Sequence, residues 1–333
     1  MRQTRLSLAE IHDLIAAALI RSRTSAGNAA SVAAALVAAE AAGQSGHGLR
    51  RVVSYCAQAA SGKVDGFAVP VVETTAPGAL SVDAGHGFAY PALEMAAAAL
   101  PDMACRQGVA IATVSHSHHC GVMGTLVEQF ADAGLIALML ANTPGGIAPW
   151  GGKTPLLGTN PIAFAAPLAG DRPVVIDLSL SKVARGRIMA AKQKNEPIPP
   201  GWASDSDGNP TTDAAAALAG TMLPIGDAKG TALALMVELL AAGLAGANYA
   251  YQATSFFNAE GAPPGTGQFI LAIDPVRIGG QAATERFAAL AARVAGDRGA
   301  RLPGRRRQAL RAEAQEKGIL ADAALIAEIE AIG

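Results

Sequence analysis

The sequence predicts a mixed α+β protein in which helices at both ends of the chain flank a central region of strands and helices. Helical periodicity fills the first sixty residues, and short β-rich runs begin near residue 69. Helical periodicity returns beyond Asp274-Pro275. This order predicts that the two ends pack together. The expected division is a helical domain of residues 1–75 and 280–333 around a mixed domain of residues 76–279.

The N-terminal region predicts three helices. Apolar residues recur at helical spacing at Leu8, Ile11, Leu14, Ile15 and Leu19. An alanine-rich run over 28–42 predicts a second helix, which Gly43 ends. Helical periodicity resumes over 49–60, so the segment "SGHG" at 45–48 lies in a connection.

The central region alternates between two patterns. Seven runs rich in β-formers predict strands at 69–75, 80–83, 109–114, 135–141, 161–165, 174–177 and 269–273. Helical segments are predicted between them at 91–107, 122–133, 182–194 and 229–245. The turn-rich stretch 196–212 predicts a surface loop. Three more helices are expected near the C-terminus, at 282–294, 306–317 and 322–332.

Composition excludes several classes of protein. Hydrophobic residues make up 51% of the chain and the formal net charge is -1, so no basic field exists to hold nucleic acid or an anionic membrane. The apolar stretch 231–251 approaches the length of a membrane span, but Glu238 near its middle favours a buried core helix. Three cysteines without CxxC spacing predict a reducing, cytoplasmic environment.

The two common nucleotide-binding fingerprints are missing from the sequence. The run "GTGQF" at 265–269 precedes a predicted strand, and "GGIAPWGG" at 145–152 does not open a helix. There is no GxxxxGK[ST] motif. A nucleotide would therefore bind this chain by a geometry other than the Rossmann or P-loop one.

The stretch "SGHGLRR" combines an imidazole with a nearby guanidinium. His47 lies between Gly46 and Gly48, and Arg51 follows it at i+4. Imidazole titrates near neutral pH and suits proton transfer, whereas a guanidinium binds a carboxylate through two hydrogen bonds. The residues alone leave two interpretations open, a proton donor beside a carboxylate clamp or a surface loop with solvated charges.

The stretch "TVSHSHHCG" at 113–121 ends a predicted strand with three histidines and a cysteine. These side chains are typical zinc ligands, but alternate residues of a strand face opposite ways and no second cluster completes a site. A metal site, a polar binding loop and structural histidines all remain open. Gly121 opens a predicted helix, whose free N–H groups favour an anion such as phosphate.

Three further positions are candidate ligand contacts. Thr159 stands at a sharp entry into a strand, Asp177 at a strand end and Lys229 at a helix start. Each position taken alone is equally typical of an ordinary turn or cap.

Taken together, these stretches resemble the malate/L-lactate dehydrogenases of the second type, a family unrelated to the Rossmann-type lactate and malate dehydrogenases. The resemblance covers nearly the whole chain and rests on seven ordered matches: "HG…R…Y" at His47, Gly48, Arg51 and Tyr55, "SHHCG" at 117–121, "GTNPIAF" at 158–164, "DLSLSKVARG" at 177–186, "KG" at 229–230, "GQFILAIDP" at 267–275 and "RLPG" at 301–304.

The resemblance implies a non-Rossmann, largely antiparallel NAD(P)-binding domain and a homodimer that uses NADPH or NADH. It implies that His47 is the proton donor and that Asp177 supports it. Arg51 and Thr159 would contact the substrate. The implied cofactor contacts are His118, His119, Cys120, Gly121, Val122, Asp177, Leu178, Ser179, Lys229, Arg301, Leu302, Pro303 and Gly304. Because the family uses this loop without a metal, no metal site is expected.

Within the family, the sequence is most similar to the cyclic imine reductases. The resemblance implies reduction of Δ1-pyrroline-2-carboxylate or Δ1-piperideine-2-carboxylate, and NADPH is favoured on this branch resemblance only. The alternative is a 2-hydroxy-acid dehydrogenase that reduces an open-chain 2-keto acid. One departure matters: that branch carries a relay serine where this chain has Gly46, and the nearest hydroxyl here is Ser45.

Overall fold

The computed structural model describes residues 2–333 and confirms a mixed α/β architecture. Its strands are β1 Gln3–Leu6, β2 Val71–Ala76, β3 Ala79–Asp83, β4 Val109–Ser117, β5 Ile136–Ala141, β6 Ile162–Leu168, β7 Asp171–Leu178, β8 Ala203–Ser204, β9 Pro210–Thr211, β10 Thr221–Met222, β11 Thr266–Ile273 and β12 Ile319–Asp322. Its α-helices are α1 Leu8–Arg21, α2 Ala26–Ala41, α3 Val52–Ser61, α4 Ala89–Gln107, α5 Met123–Asp132, α6 Arg185–Lys194, α7 Ala214–Ala219, α8 Ala228–Val237, α9 Pro275–Gly279, α10 Ala283–Gly296, α11 Arg305–Lys317 and α12 Ala323–Glu330.

A seven-stranded sheet forms the centre of the molecule, in the order β2-β3-β4-β11-β5-β6-β7. Only the β3–β4 pairing is parallel, and the other neighbours run antiparallel. Helices α4 and α5 pack on this sheet and bury one continuous apolar core, which includes Leu93, Leu100, Val114, Phe130 and Ile270. The core fixes the end of β4, where the histidine-rich segment begins.

The two ends of the chain meet in a second apolar core. Strand β1 pairs antiparallel with β12, and α1 contacts both α2 and α12. Buried side chains of this core come from both ends and include Ile11, Leu36, Tyr55, Ile326 and Ile329. Helix α10 instead packs on β6 of the central sheet. The division into a helical domain of residues 1–75 and 280–333 and a mixed domain of residues 76–279 stays a prediction.

The seven strands expected in the centre are all present, each within about three residues of its predicted bounds. The short sheet β10-β8-β9 and the β1–β12 pair were not predicted. Strands of two to four residues are too short to show a period in the sequence, so pairing partners distant in the chain decide them. Strands β8 and β9 fall in the stretch predicted as a loop.

The apolar stretch around Glu238 is helical, with one face buried in a core at Ala234, Val237 and Ala241 and the opposite face exposed at Leu235 and Leu239. Helix α8 continues into a π-helical turn, Glu238–Gly243, and the side chain of Glu238 is 2% exposed. Within residues 2–333, no helix combines the length and the hydropathy that crossing a membrane requires.

Four N–H donors surround the Glu238 carboxylate. Oε1 accepts from Asn160 Nδ2 at 2.8 Å and Gly158 N at 3.3 Å, and Oε2 accepts from Ala250 N at 3.1 Å and Asn142 Nδ2 at 3.3 Å. Burial raises the pKa of Glu238, and these four donors oppose that shift. The network joins the end of β5, the start of β6 and the turn after the π-helix, so it holds together the loops at this edge of the sheet.

Replacing Glu238 by Gln is expected to lower the free energy of unfolding by about 2–3 kcal/mol, because an amide NH2 would face two donors and leave them unpaired. Urea denaturation measures this change. The exposed Glu328→Gln is the matched control and should change stability by less than about 0.5 kcal/mol. Equal stability of the two variants would show that the carboxylate is not needed.

Candidate active site

The connection between α2 and α3 comes close to the segment that follows β4. Ser45–His47 and Leu49–Arg51 form two short 3-10 turns, and Arg51 is the residue before α3. The ring of His47 stacks on that of His119, with centroids 5.1 Å apart and planes inclined by 13°. Two segments separated by about seventy residues in the sequence therefore form one cluster of imidazoles and a guanidinium.

The glycines on either side of His47 differ in their roles. A Cβ on Gly48 would lie 2.2 Å from Glu40 Oε2, which accepts a hydrogen bond from Leu49 N at 2.8 Å. Gly48 therefore lets Glu40 hold the start of the second turn. Around Gly46, a Cβ would meet no atom within 4 Å, so space does not require glycine there.

Arg51 is buried without a carboxylate partner among residues 2–333. Its side chain is 8% exposed, and Nε donates to the carbonyl of Gly46 at 3.0 Å. Nη1 is buried and makes no hydrogen bond within residues 2–333. The ring of Phe257 covers the guanidinium at 4.6 Å, a cation–π contact. This arrangement leaves the guanidinium available to an anion.

His118 and His119 are held in different ways after β4. His116 has φ 45°, a left-handed conformation that turns the chain as the strand ends. His118 Nε2 contacts Gln58 Oε1 at 2.7 Å, and His119 Nδ1 contacts the Tyr55 hydroxyl at 2.5 Å. The Tyr55 hydroxyl in turn contacts that of Tyr90 at 3.1 Å.

Gln58 fixes the tautomer of His118. Its Nε2 donates to the carbonyl of Phe256 at 3.0 Å, so its Oε1 is the acceptor toward His118. The proton of His118 is therefore on Nε2. Its Nδ1 is left as a buried acceptor without a partner in the described chain.

The three clustered histidines are neutral near pH 7. Burial, together with the charges of Arg51 and Arg307, lowers the pKa of His47 to about 4. Burial, with Arg51 and Lys63, lowers the pKa of His118 to about 3, and burial and the same guanidinium lower the pKa of His119 well below its usual range. Protonation of any of these imidazoles would place a second positive charge beside Arg51 in a buried site, which is unfavourable.

The histidines of "HSHHC" face different partners. His116 Nδ1 contacts Asp83 Oδ1 at 3.0 Å and its ring lies 4.8 Å from that of His86, away from the Gln58 and Tyr55 contacts made by His118 and His119. Within residues 2–333, no group of three or more His, Cys, Asp or Glu side chains is arranged to hold a metal ion. The contacts of His118 and His119 with Gln58 and Tyr55 suit either a binding loop or structural histidines, and the role of this loop stays a prediction.

Asp177, at the end of β7, occupies the N-terminus of α5. Its Oδ2 accepts from Gly124 N at 3.0 Å and pairs with Arg307 Nη1 at 3.2 Å. Burial raises the pKa of Asp177, and Arg307 opposes that shift. The helix start after Gly121, predicted to favour a phosphate, therefore already holds a carboxylate. Hydrogen bonds within residues 2–333 join Asp177 to these groups and not to His47, so its supporting role stays a prediction.

A groove of about 460 Å³ opens between α2, β7 and α11. Four of the residues predicted to contact a cofactor line it, namely Asp177, Leu178, Pro303 and Gly304. Gln44, three residues before His47, and Arg306 also line the groove. Its size and its mixture of backbone, apolar and cationic groups fit part of a dinucleotide.

Other predicted site residues lie outside these contacts. Thr159 Oγ1 contacts Thr143 Oγ1 at 3.2 Å, Lys229 is exposed at the start of α8, and Arg301 is exposed before α11. Ser45 is exposed and makes no side-chain hydrogen bond within residues 2–333. The structure joins none of these to His47 by a hydrogen bond, and their roles stay predictions.

Several residues of the cluster were not predicted from the sequence. Gln58 follows Arg51 by two helical turns, a spacing that could have revealed it. Phe256, Phe257 and Arg307 lie far away in the sequence, in an irregular segment and a surface helix, and carry no local signal. Only tertiary packing brings them to the site.

Comparisons with known proteins agree on one family. A family model described as malate/L-lactate dehydrogenase matches residues 6–330. A (2R)-3-sulfolactate dehydrogenase (NADP+) from Chromohalobacter salexigens is 49% identical, covering 93% of each chain. A Δ1-pyrroline-2-carboxylate reductase from Ancylobacter novellus is 40% identical over 99% of this chain and 97% of its own. The crystal structure of a Δ1-piperideine-2-carboxylate reductase from Pseudomonas syringae superposes with a TM-score of 0.94 at 39% identity, covering 99% of this chain and 100% of that one.

The buried histidines predict a loss of stability in mild acid. Unfolded histidines bind protons near pH 6.5, whereas His47 and His118 remain neutral down to about pH 4 and about pH 3, so the unfolded state gains more protons as the pH falls through this window. We expect the free energy of unfolding to drop by up to about 1.4 kcal/mol per pH unit for each such histidine. Urea denaturation between pH 7 and pH 5 measures the slope. His118→Gln, which can still donate to Gln58, should reduce this slope by the contribution of one histidine. An unchanged slope would contradict the lowered pKa of His118.

Proposed function

The chain belongs to the malate/L-lactate dehydrogenase family, and on that premise we propose that it reduces a cyclic imine bearing a 2-carboxylate, with NAD(P)H as reductant. The substrates proposed are Δ1-pyrroline-2-carboxylate and Δ1-piperideine-2-carboxylate, and the products are L-proline and L-pipecolate. Relatives and a solved structure named for these reactions support the proposal.

The observation that carries the proposal is the uncompensated guanidinium of Arg51. Burying a charge without a partner costs several kcal/mol, which an arriving anion offsets. Nη1 has no partner within residues 2–333, and a carboxylate binds a guanidinium through two parallel hydrogen bonds. Arg51 would therefore hold the substrate carboxylate and orient the carbon attached to it.

The charges around the site favour a substrate with one negative charge. Three cations influence the clustered histidines: Arg51, Arg307 and Lys63. Arg307 is paired with Asp177, and Lys63 donates to the oxygens of Ser255 and Asn258. Within residues 2–333, the hydrogen bonds of Arg51 reach a single acceptor, the carbonyl of Gly46, and no anionic group. A substrate with one negative charge, such as an imine carboxylate, matches a single available guanidinium better than a dianion does.

The state of His47 also favours an imine. Reduction adds a hydride to C2 and a proton to the ring nitrogen, so the C=N bond becomes C–H and N–H. Burial, together with Arg51 and Arg307, lowers the pKa of His47 and keeps it neutral in this structure, and a carboxylate on Arg51 would offset one of the two charges that oppose its protonation. His47 would then pass a proton to the nitrogen, directly or through water. An imine binds protons readily by itself, whereas a ketone depends on the donor.

The cofactor would lie along the groove of β7 and α11. When bound, the nicotinamide supplies the hydride. Asp177, Leu178, Pro303 and Gly304 would contact the dinucleotide, and the site of Arg51 and His47 would lie at its reactive end. We favour NADPH, consistent with a 49% identical relative named as NADP+-dependent. The largely antiparallel sheet supports a non-Rossmann cofactor domain.

We also propose a cytoplasmic homodimer. Side chains on α8 and the following turns leave a large apolar surface exposed, with Leu235 50%, Leu239 56% and Leu244 57% accessible. Apolar surfaces of this kind are typical of subunit interfaces.

A second candidate function is a 2-hydroxy-acid dehydrogenase acting on an open-chain keto acid. The 49% identical 3-sulfolactate dehydrogenase is the observation that favours it. This enzyme would share the cofactor groove and Arg51, but it would need a proton donor for the ketone oxygen. The two functions therefore differ in their dependence on His47.

A panel of substrates separates the two functions. Oxidation of NADPH and NADH is followed with Δ1-pyrroline-2-carboxylate, Δ1-piperideine-2-carboxylate, pyruvate, oxaloacetate and sulfopyruvate. We expect the highest kcat/KM with an imine. His47→Ala should lower kcat on keto acids by about 100-fold or more and on imines by less. A wild-type preference for sulfopyruvate would replace the proposed function with the second candidate.

Arg51→Lys tests the carboxylate clamp. Lysine keeps the charge but loses the planar fork, so KM for the imine should rise by about 10- to 100-fold while kcat changes less. The neighbouring Arg50 is exposed, which makes Arg50→Lys the matched control with an expected change below twofold. If Arg51→Lys kept the wild-type KM, the carboxylate would bind elsewhere.

A further inference from the structure

Helix α3 anchors a distant irregular segment against the site. Gln58 Nε2 donates to the carbonyl of Phe256 at 3.0 Å, and Ser61 Oγ donates to that of Ala259 at 3.1 Å. Just beyond the helix, Lys63 Nζ donates to the carbonyl of Ser255 at 2.7 Å. Arg51 directly precedes the same helix, so a single element positions both the guanidinium and this segment.

The segment 255–259 contains no helix or strand of its own. It lies between the π-helical turn that ends at Gly243 and strand β11, which begins at Thr266. Lys63 is 2% exposed and also donates to the carbonyl and Oδ1 of Asn258, at 3.1 and 3.0 Å. A buried ammonium that ends on three oxygens of one segment holds that segment in place.

Two neighbouring phenylalanines of the segment face the site differently. Phe256 is 5% exposed and packs on the rings of His118 and His119, at 5.2 and 5.3 Å. Phe257 is 43% exposed although its ring covers the Arg51 guanidinium at 4.6 Å. Phe257 therefore has free surface beside the guanidinium whose Nη1 makes no hydrogen bond within residues 2–333.

We propose that Phe257 is a specificity-determining residue, which forms an apolar wall of the substrate site and selects a flat ring over a second charged group. We assign Lys63 the part of a positioning residue that holds this wall over Arg51. Both assignments deepen the proposed function and rest on its carboxylate site at Arg51.

The selection follows from the geometry of a bidentate carboxylate. Such a carboxylate lies in the plane of the guanidinium, so the carbon attached to it begins in that plane as well. The rest of the substrate then extends beside the aromatic ring that covers the guanidinium face. A flat ring conjugated with its carboxylate packs there, whereas a second anionic group would lose water against the phenyl ring.

Equilibrium binding tests the wall without turnover. Calorimetry with the NADP+-saturated enzyme compares pyrrole-2-carboxylate, a flat ring with one carboxylate, and malonate, a small dianion. Phe257→Ala should weaken pyrrole-2-carboxylate binding by about three- to tenfold and malonate binding by less than twofold. Phe257→Tyr, which keeps the ring, should restore the wild-type ratio. Phe67→Ala, at an exposed phenylalanine in another segment, is the matched control.

A double-mutant cycle tests the positioning role of Lys63. Lys63→Met should lower the affinity for pyrrole-2-carboxylate relative to that for malonate, as Phe257→Ala does. The combined variant should lose no more affinity for pyrrole-2-carboxylate than Phe257→Ala alone. Thermal unfolding shows whether each variant is folded. If Lys63→Met does not fold, the Phe257 variants decide the proposal by themselves.

The outcomes distinguish this inference from the proposed function. Equal losses of affinity for both ligands in Phe257→Ala, or no loss for either, would overturn the assignment of Phe257 as a specificity-determining residue. Additive effects in the cycle would overturn the role of Lys63. Failure of the wild-type enzyme to reduce any imine would overturn the proposed function, while the ratio of ligand affinities would still judge Phe257.

Discussion

The site depends on one buried guanidinium that has no counterion within residues 2–333. Arg51 is 8% exposed, its Nη1 has no partner within residues 2–333, and its neighbours are aromatic rings and neutral imidazoles. Burial, and after it this positive charge, lower the pKa of each clustered histidine, so the imidazoles around Arg51 are neutral. The free energy that burial costs is recovered when a carboxylate arrives.

The fold supports this arrangement from three directions. Gly48 lets Glu40 hold the turn before Arg51, the left-handed His116 turns the chain toward His118 and His119, and α3 holds Phe256 and Phe257 over the cluster. The Glu238 network secures the loops at the neighbouring edge of the sheet. Hydrogen bonds of Glu40, Gln58 and Glu238 take part in these supports and restrict the motion of the segments that they join.

The sequence predicted the main elements well because each is long enough to show a regular pattern of apolar residues. The seven central strands and the terminal helices follow from apolar spacing, whereas β1, β12 and the two-residue strands depend on partners far along the chain. For the site, "SGHGLRR" and "HSHHC" predicted the imidazoles and the guanidinium. The burial of Arg51, the pairing of Asp177 with Arg307 and the aromatic cover could not be predicted, because tertiary packing alone creates them. At the start of α5, where the sequence favours an anion such as phosphate, Asp177 Oδ2 accepts from Gly124 N, and phosphate binding there stays a prediction.

The most direct test is a crystal structure of the enzyme with NADP+ and pyrrole-2-carboxylate. We expect a carboxylate held by both terminal nitrogens of Arg51, with the ring beside Phe257 and the nicotinamide within reach of C2 and His47. A carboxylate bound away from Arg51, or a nicotinamide far from both His47 and Arg51, would contradict this expectation.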